Sequence, residues 1–389
     1  MAKLHVVHVI TRLLRAGSEE NVIATCLGQA ALGHRVTLVF GREHDPAYLD
    51  TLSDRISLEC VKSLVHPVDP IHDIRAVREM MRLFRALAPD IVHTHQSKAG
   101  IVGRLAAYRA KVPGIVHGVH IAPFLNVGPS KRYLYLTAER MMARLTDAFV
   151  DVSGGMRETY LAAGIGTAAN HHVVYSGMPL KAFTEAAPPQ NWRELAGVAA
   201  DAPKPPIVLM LAALEPRKRH CELIRVFGRI VDRFPEIRLL CAGEGPALPD
   251  VEAAIRRAGL EKNVRLLGFH PEPGRLVALA DLCLLTSMRE GLPRVVVQAL
   301  AGGKPVIVTR VAGIEEIVEH GVSGLITDPD DLEDTARAIL DVMADPVLYQ
   351  KLRDGAKARD VSGWSSEALV EGTEKVYATL ADRRATATA

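Results

Sequence analysis

The sequence has 389 residues, of which 48% are hydrophobic and 24% charged, the balance of a soluble globular protein with a substantial core. Its formal net charge of +2 excludes a strongly basic or acidic chain and gives no signal for nucleic-acid binding. The five cysteines form no C-x-x-C pair, no apolar run approaches the length of a membrane span, and the start enters a strand at once. These features predict a cytoplasmic protein.

The N-terminal half alternates short apolar runs with helical segments. Leu4–Ile10 predicts a strand, a polar turn then opens a helix that ends near Leu32, and Arg35–Phe40 predicts a second strand. Further strand-like runs lie at residues 90–94, 114–119, 148–152 and 172–175. This alternation predicts a doubly wound parallel sheet. The G-x-G-x-x-G fingerprint is absent, so the opening turn does not predict a dinucleotide site.

Two proline-rich pieces, residues 185–190 and 202–206, show little periodicity and predict a linker. After them the alternation restarts, with strands predicted at residues 207–212, 238–241 and 264–267. We therefore expect an α/β protein with two Rossmann-like, doubly wound parallel-sheet domains facing a central cleft. The carboxyl ends of parallel strands usually hold the ligand in such folds.

One stretch of the second half predicts a binding site. Two short apolar runs, 281–286 and 305–309, predict strands, and between them a turn at 290–293 precedes a helix that ends at Gly302-Gly303. Pro293 suits the first helical position. Backbone N–H groups of a glycine-containing loop favour a phosphate, and the carboxylate of Glu290 can accept hydrogen bonds from sugar hydroxyls. The alternative is an ordinary strand–helix crossover with a solvated glutamate.

This stretch resembles the E-x7-E signature of the retaining, family 4-like glycosyltransferases, which use nucleotide sugars on a GT-B scaffold. The resemblance extends over most of the chain, from about Val6 to Tyr377. Seven further segments are similar to motifs of that family and follow in its order: residues 12–19, 93–100, 117–120, 174–180, 214–218, 243–246 and 264–268.

The resemblance implies transfer of a sugar from a nucleoside diphosphate, expected to be UDP, to an acceptor held by the N-terminal domain. It also implies an acceptor-binding domain at residues 1–184, a donor-binding domain at 190–364, and a last helix, 365–389, that packs back on the first domain. No metal or other cofactor is expected. The catalytic residues implied are Glu290, His120 and Lys218. The donor-binding residues implied are Gly17, Arg217, Lys218, Gly268, Phe269, Glu290, Gly291, Leu292, Pro293, Arg294, Val295 and Gln298; on the acceptor side they are Ser97, Lys98 and His120.

Three positions depart from the family pattern. The first loop carries Ala16-Gly17 where two glycines are common, and Ala213 stands where an arginine helps to hold the diphosphate. Gln298 replaces the second acid of the signature. Arg217 or Arg219 can supply the charge missing at Ala213, although an Arg-Lys-Arg run is also typical of a solvated helix start.

Histidine and aspartate patterns raise the question of a metal. The spacings His93/His95 and His117/His120 resemble ligand pairs, but without a cysteine or carboxylate partner they are a weak signal. Asp328-Pro-Asp330 spells a D-x-D string, which is better explained by Asp330 or Asp331 capping the following helix.

One helix bears on location. In residues 74–87 the side chains of Ile74, Val77, Met81 and Phe84 are predicted to form an apolar face, and four arginines form a second stripe: Arg75, Arg78, Arg82 and Arg85. A basic N-terminal half could dock peripherally on the inner face of a membrane and reach a lipid-linked acceptor. The alternative is that the stripe is only the solvated side of the helix.

Two other functions stay open from the sequence. Ala213 and Gln298 are compatible with a non-catalytic sugar-nucleotide binder, and a GT-B nucleotide-sugar epimerase would convert a donor without an acceptor. The sequence does not distinguish glycan, glycolipid and natural-product acceptors.

Overall fold

Two parallel β-sheets flanked by helices organise the chain. The structure is a computed structural model, and it describes residues 3–14, 17–125 and 127–388. The chain divides into two compact units, residues 1–178 with 363–389 and residues 179–362. The predicted fold class is confirmed: each unit is a Rossmann-like α/β domain with a parallel sheet.

The first sheet has seven strands within the described residues, in the order β3-β2-β1-β4-β5-β6-β7. Its strands are β1 (His5–Ile10), β2 (Arg35–Phe40), β3 (Ser57–Cys60), β4 (Ile91–His95), β5 (Gly114–Val119), β6 (Ala148–Asp151) and β7 (His171–Val173). The helices between them are α1 (Gly17–Ala31), α2 (Pro46–Leu52), α3 (Pro70–Leu87), α4 (Ser97–Ala110), α5 (Pro129–Ala143) and α6 (Gly154–Ala162).

The second sheet has six strands in the described chain, in the order β10-β9-β8-β11-β12-β13. Its strands are β8 (Ile207–Leu211), β9 (Arg238–Ala242), β10 (Val264–Gly268), β11 (Leu282–Leu285), β12 (Val306–Thr309) and β13 (Gly324–Thr327). Its helices are α7 (Lys181–Thr184), α8 (Trp192–Ala196), α9 (His220–Arg233), α10 (Leu248–Ala258), α11 (Pro273–Leu279), α12 (Arg294–Ala301), α13 (Ile314–Ile317), α14 (Leu332–Ala344) and α15 (Pro346–Ala358).

The last helix, α16 (Ser366–Thr388), belongs to the first unit. Its side chains Leu369, Val376 and Tyr377 are buried against Val6 of β1 and Val116 of β5. These residues of α16 therefore form part of the hydrophobic core against the first sheet. Burial of their apolar side chains stabilises the attachment of the helix to the first unit.

Strand order fixes where each sheet is able to hold a ligand. In the first sheet the direction of winding reverses between β1 and β4, and in the second it reverses between β8 and β11. The loops that follow two such strands diverge to opposite faces of the sheet and leave a crevice at its carboxyl edge. The loops after β8 and β11 carry Lys218 and Glu290, respectively.

Helix α3 differs in part from its prediction. Its buried face consists of Ala76, Val77, Met80 and Phe84, whereas Ile74 is 54% exposed. Of the predicted apolar face, Val77 and Phe84 are buried and Met81 is half-buried, so Ile74 is its exposed member. The four arginines are exposed, as the stripe predicted.

Among the helices of the described residues, none is both long and apolar enough to cross a bilayer.

Candidate functional site

The loop between β11 and α12 carries the glutamate predicted to hold a sugar. Glu290 lies in this loop with its side chain 11% exposed, and Pro293 occupies the position before the first helical residue, Arg294. The expectation that Pro293 is the first helical residue was wrong by one position, because its ψ of 77° is not helical. The helix has eight residues and is followed by Gly302.

Glu290 is paired with two cations from the loop after β8. Its Oε1 accepts hydrogen bonds from Nζ of Lys218 and, at 3.3 Å, from Nη1 of Arg217. The side chain of Lys218 is only 10% exposed, and Arg217 also donates from Nε to Glu215 over 2.6 Å. The predicted donor residues Arg217 and Lys218 thus lie beside Glu290, although Lys218 and Glu290 are 72 positions apart in sequence.

The cations determine the charge of Glu290. Burial alone would raise the pKa of its carboxyl group, but the ammonium of Lys218 and the guanidinium of Arg217 outweigh burial, and the pKa lies below its ordinary value. The carboxylate is therefore ionised at neutral pH, and one of its oxygens is engaged by both cations.

Backbone contacts hold the two loops together. The N–H of Met288 donates to the carbonyl of Arg217 over 2.9 Å, and the hydroxyl of Thr286 donates to the carbonyl of Lys218 over 2.7 Å. Arg219, which follows Lys218, has a left-handed φ of 62°, a conformation that costs energy for a residue with a side chain. This turn directs Arg219 away from Glu290, and its guanidinium donates to the carbonyl of Pro329. Arg217 is thus better placed than Arg219 to replace the charge missing at Ala213.

The remaining predicted donor residues, apart from Gly17 of the first unit, lie in the second unit, on α12 with the loop before it and after β10. Arg294, Val295 and Gln298 lie on the less buried face of α12, whereas Val296 and Val297 face the core. Gly291 and Leu292 are buried in the loop that precedes this helix.

Gly268 and Phe269 follow β10. Gly268 has a left-handed φ of 66°, which glycine adopts without strain. The N–H of Phe269 donates to a carboxylate oxygen of Glu244 over 3.4 Å, and its ring is 50% exposed. The structure therefore places an exposed aromatic ring beside the glycine loop of residues 243–246.

Acceptor-side residues lie at the carboxyl edge of the first sheet. Ser97 is the first residue of α4, and Gly17, which was predicted on the donor side, is the first residue of α1. The amide of Gln96 donates to the hydroxyl of Ser18 between these two helix starts over 2.8 Å. Lys98 forms an ion pair with Asp73 and donates to the carbonyl of Pro67, so its ammonium group already has partners within the first unit. Ala16, whose departure from the family pattern was noted, lies outside the described residues.

His120 follows β5 and is hydrogen-bonded through a ring nitrogen. Its Nε2 lies 3.0 Å from Nδ1 of His95, and Nδ1 of His8 lies 2.9 Å from Nε2 of His95. Sequence reasoning noted the spacing of the histidines but missed His8, Gln29 and Glu374, which join the same hydrogen-bonded group from distant parts of the chain. The sequence signal that could have indicated His8 is its position as a polar residue within the apolar run Leu4–Ile10.

Among the described residues, nitrogens of His8, His93 and His95 lie within 4.8 Å of one another, close enough to suggest a metal site. Both ring nitrogens of His8 and of His95 are already in hydrogen bonds, which leaves His93 Nε2 as the nitrogen of this group without a partner in the described chain. That arrangement fits a hydrogen-bonded cluster better than three ligands. Of the two predicted caps for the helix that follows the D-x-D string, Asp331 is the one observed, since it accepts from the N–H of Glu333 over 2.9 Å. That the protein works without a catalytic metal stays a prediction.

Comparison with known proteins identifies the class. A family model described as "Glycosyl transferases group 1" matches residues 194–359, and one described as "Glycosyl transferase 4-like domain" matches residues 16–177. HepE of Anabaena, solved in complex with UDP and glucose, superposes with a TM-score of 0.82 and 21% identity over 97% of this chain and all of that one. The fold is therefore of the GT-B type.

Two curated relatives agree with this assignment. The UDP-Gal:alpha-D-GlcNAc-diphosphoundecaprenol alpha-1,3-galactosyltransferase of Escherichia coli is 24% identical over 333 residues, which cover 84% of this chain and 85% of that protein. The D-inositol 3-phosphate glycosyltransferase of Thermobispora bispora is 27% identical over 317 residues, with 75% and 72% covered. This chain belongs to the group 1, family 4-like glycosyltransferases, and it is an enzyme of that class.

Proposed function

We propose that the protein is a retaining glycosyltransferase that takes a sugar from a UDP-sugar and passes it to a hydroxyl of a glycan, glycolipid or natural-product acceptor. The observation that carries the proposal is the contact between Lys218 and Glu290 at the crevice between β8 and β11. A leaving diphosphate needs a cation, and a sugar needs a hydrogen-bond acceptor for its hydroxyls. The structure supplies both groups side by side.

The donor residues then have separate roles in the reaction. Lys218, assisted by Arg217 and by backbone N–H groups at the start of α12, stabilises the negative charge that develops on the diphosphate. Glu290 holds donor-sugar hydroxyls. The bond between the anomeric carbon and the β-phosphate oxygen breaks, the acceptor oxygen bonds to the same face, and its proton passes to the departing phosphate.

Names of related proteins favour uridine as the nucleoside. HepE was solved with UDP and glucose, and the E. coli relative is named for a UDP-galactose donor. A thermal-shift panel of nucleotide sugars tests this choice, because a ligand at a hundred times its dissociation constant stabilises the folded state by about 2.7 kcal/mol. Stabilisation by another nucleoside diphosphate but not by UDP would contradict it.

Gln298 is expected to contribute modestly to nucleotide binding. Its amide oxygen is able to accept from a ribose hydroxyl as a carboxylate would, but without the charge. A neutral hydrogen bond contributes about 1 kcal/mol, so Gln298→Ala should weaken UDP binding by roughly that amount and leave the rate of the chemical step almost unchanged. Isothermal titration and a transfer assay measure the two effects. A loss of kcat with unchanged UDP affinity would show that Gln298 does not contact the nucleotide.

We further propose that the N-terminal unit docks on anionic membranes to reach a lipid-linked acceptor. Val68, Ile71 and Ile74 are 68%, 63% and 54% exposed, and the exposed Arg75 and Arg78 follow them on α3. An apolar edge beside basic side chains suits the surface of an anionic leaflet. The E. coli relative is named for an acceptor linked to diphosphoundecaprenol, which supports a membrane-bound substrate here.

Binding to vesicles tests this docking. The double variant Arg75→Glu/Arg78→Glu should bind phosphatidylglycerol vesicles at least about tenfold more weakly than the wild type, since each basic residue contributes about 1 kcal/mol near such a surface. Arg229→Glu, at an exposed position in the second unit, is the control and should bind like the wild type. Equal binding to phosphatidylcholine and phosphatidylglycerol vesicles by all three proteins would contradict electrostatic docking.

A further inference from the structure

A continuous line of hydrogen bonds connects His120 to a buried carboxylate on the last helix. From His120 Nε2 the line passes to His95 over 3.0 Å, from His95 to His8 over 2.9 Å, and from His8 to Gln29 Oε1 over 2.8 Å. Gln29 Nε2 then donates to Glu374 Oε1 over 3.0 Å. His8, His95, Gln29 and Glu374 are all at most 5% exposed, so water does not compete for these bonds.

The carboxylate of Glu374 determines which group donates and which accepts in each hydrogen bond of this line. An ionised carboxylate only accepts hydrogen bonds, so Glu374 fixes which end of the Gln29 amide is the NH₂ group. The other end, Gln29 Oε1, accepts in turn and requires a proton on Nε2 of His8. The second oxygen of Glu374 is engaged by His34 Nε2 over 2.9 Å, while His34 Nδ1 accepts from the N–H of Leu4. The carboxylate is thereby held in place from both sides.

In a line of neutral histidines, the protonated nitrogen of one ring determines the protonated nitrogen of the next. Burial lowers the pKa of His8 to about 4, and burial together with the neighbouring histidines lowers the pKa of His95 well below its ordinary value. Neutral His8 with a proton on Nε2 accepts at Nδ1, so His95 carries its proton on Nε2 and accepts at Nδ1. His120 must then donate from Nε2, so that in its neutral form Nδ1 is the acceptor nitrogen.

Gly118 makes room for this arrangement. A Cβ atom at this position of β5 would lie 2.7 Å from Nδ1 of His95 and 3.2 Å from Nε2 of His120. These two atoms form the hydrogen bond between His95 and His120. A side chain at residue 118 would therefore separate His95 from His120, so the sequence His117-Gly118-Val119-His120 provides the space as well as the histidine.

We propose that Glu374 and Gln29, acting through His8 and His95, fix the tautomer of His120 and are positioning residues for sugar transfer. With its proton held on Nε2, neutral His120 presents Nδ1 as a hydrogen-bond acceptor for a hydroxyl of the molecule that receives the sugar. This inference rests on the proposed function for the role of His120 in transfer, whereas the tautomer itself does not depend on it.

Nuclear magnetic resonance of protein labelled with ¹⁵N-histidine measures the tautomers directly. In the wild-type protein, long-range ¹H–¹⁵N correlations should show His8, His95 and His120 protonated on Nε2. Glu374→Gln replaces the pure acceptor by an amide that can also donate, so Gln29 is free to rotate by 180°. Protonation on Nδ1 should then appear at all three histidines, and kcat should fall by about tenfold or more with little change in the KM for the donor.

A matched control separates this effect from general disturbance of the core. Thr94 is buried beside His95 on β4 and bonds to Nδ1 of His117 over 3.0 Å, outside the line. Thr94→Val should alter the signals of His117 but leave the tautomers of the other three histidines and kcat near wild type. If Glu374→Gln does not fold, as judged by circular dichroism, Gln29→Met removes the acceptor for His8 instead and serves the same purpose.

Three results decide the proposal. Nε2 protonation of His120 in the wild type, lost in Glu374→Gln but not in Thr94→Val, supports it. Nδ1 protonation of His120 in the wild type overturns it, and so does a shift of tautomer in Glu374→Gln that leaves kcat unchanged. Absence of transfer by the wild type with any nucleotide sugar would instead contradict the proposed function, and the wild-type tautomers would still show whether the line has the stated direction.

Discussion

Glu290→Gln is expected to reduce sugar transfer by at least about a hundredfold while the fold and the affinity for UDP stay close to wild type. The glutamine retains the size of the side chain and one acceptor oxygen, but it loses the charge that pairs with Lys218 and that would hold donor hydroxyls. UDP lacks the sugar whose hydroxyls Glu290 would hold, and Lys218 and Arg217 remain available to its diphosphate in the variant. Circular dichroism, UDP titration and a transfer assay give the three readouts.

Glu215→Gln provides the control for this variant. Glu215 bonds to Nε of the same Arg217 that contacts Glu290, but it stands in the more exposed part of the turn, with 40% of its side chain exposed. The variant should keep most of the transfer activity. If Glu290→Gln transfers sugar within about threefold of the wild type, Glu290 does not hold the donor.

Lys218→Met should produce the second large effect, a loss of UDP binding. A hydrogen bond to a charged group contributes roughly 1.5–3 kcal/mol, which corresponds to about a 10- to 150-fold increase in the dissociation constant. Methionine keeps an unbranched side chain of similar length, so the buried space around residue 218 remains filled. Isothermal titration of UDP into both proteins measures the difference.

Lys204→Met is the control, since Lys204 is a more exposed lysine of the second unit that pairs with Asp281. It should bind UDP like the wild type. Thermal melts accompany both titrations, because removal of Lys218 leaves Glu290 with Arg217 as its remaining cation among the contacts described. Unchanged UDP affinity in a folded Lys218→Met protein would exclude Lys218 from the diphosphate site.

The sequence predicts the sheets well where apolar runs are buried on both faces. β1, β5, β8 and β12 are such runs, and the predicted positions agree with the structure to within a residue or two. β3 was missed, because Ser57–Cys60 is a short strand at the sheet edge with no buried residue. β13 was missed as well, since its four residues begin with a glycine and lie at the other sheet's edge.

The candidate site divides in a similar way. The order of motifs indicated Lys218 and Glu290, and their contact follows from strand order at the point where the sheet reverses direction. Periodicity does not reveal that Glu374 meets Gln29, since 345 residues separate them and the contact depends on the path of α16 back to the first sheet. The exposure of Ile74 beside the buried Ala76 and Met80 likewise depends on how α3 packs, which periodicity only approximates.

The anomeric configuration of the first sugar released tests the central claim most directly. Glycosyltransferases that are given a donor without an acceptor can pass the sugar slowly to water, and time-resolved ¹H NMR reads the anomer before it equilibrates. With α-linked UDP-sugars the wild-type protein should release the α-anomer first, at a rate that falls in Glu290→Gln. Initial release of the β-anomer, or no turnover of any nucleotide sugar by the folded wild-type protein, would contradict a retaining transferase with this donor site.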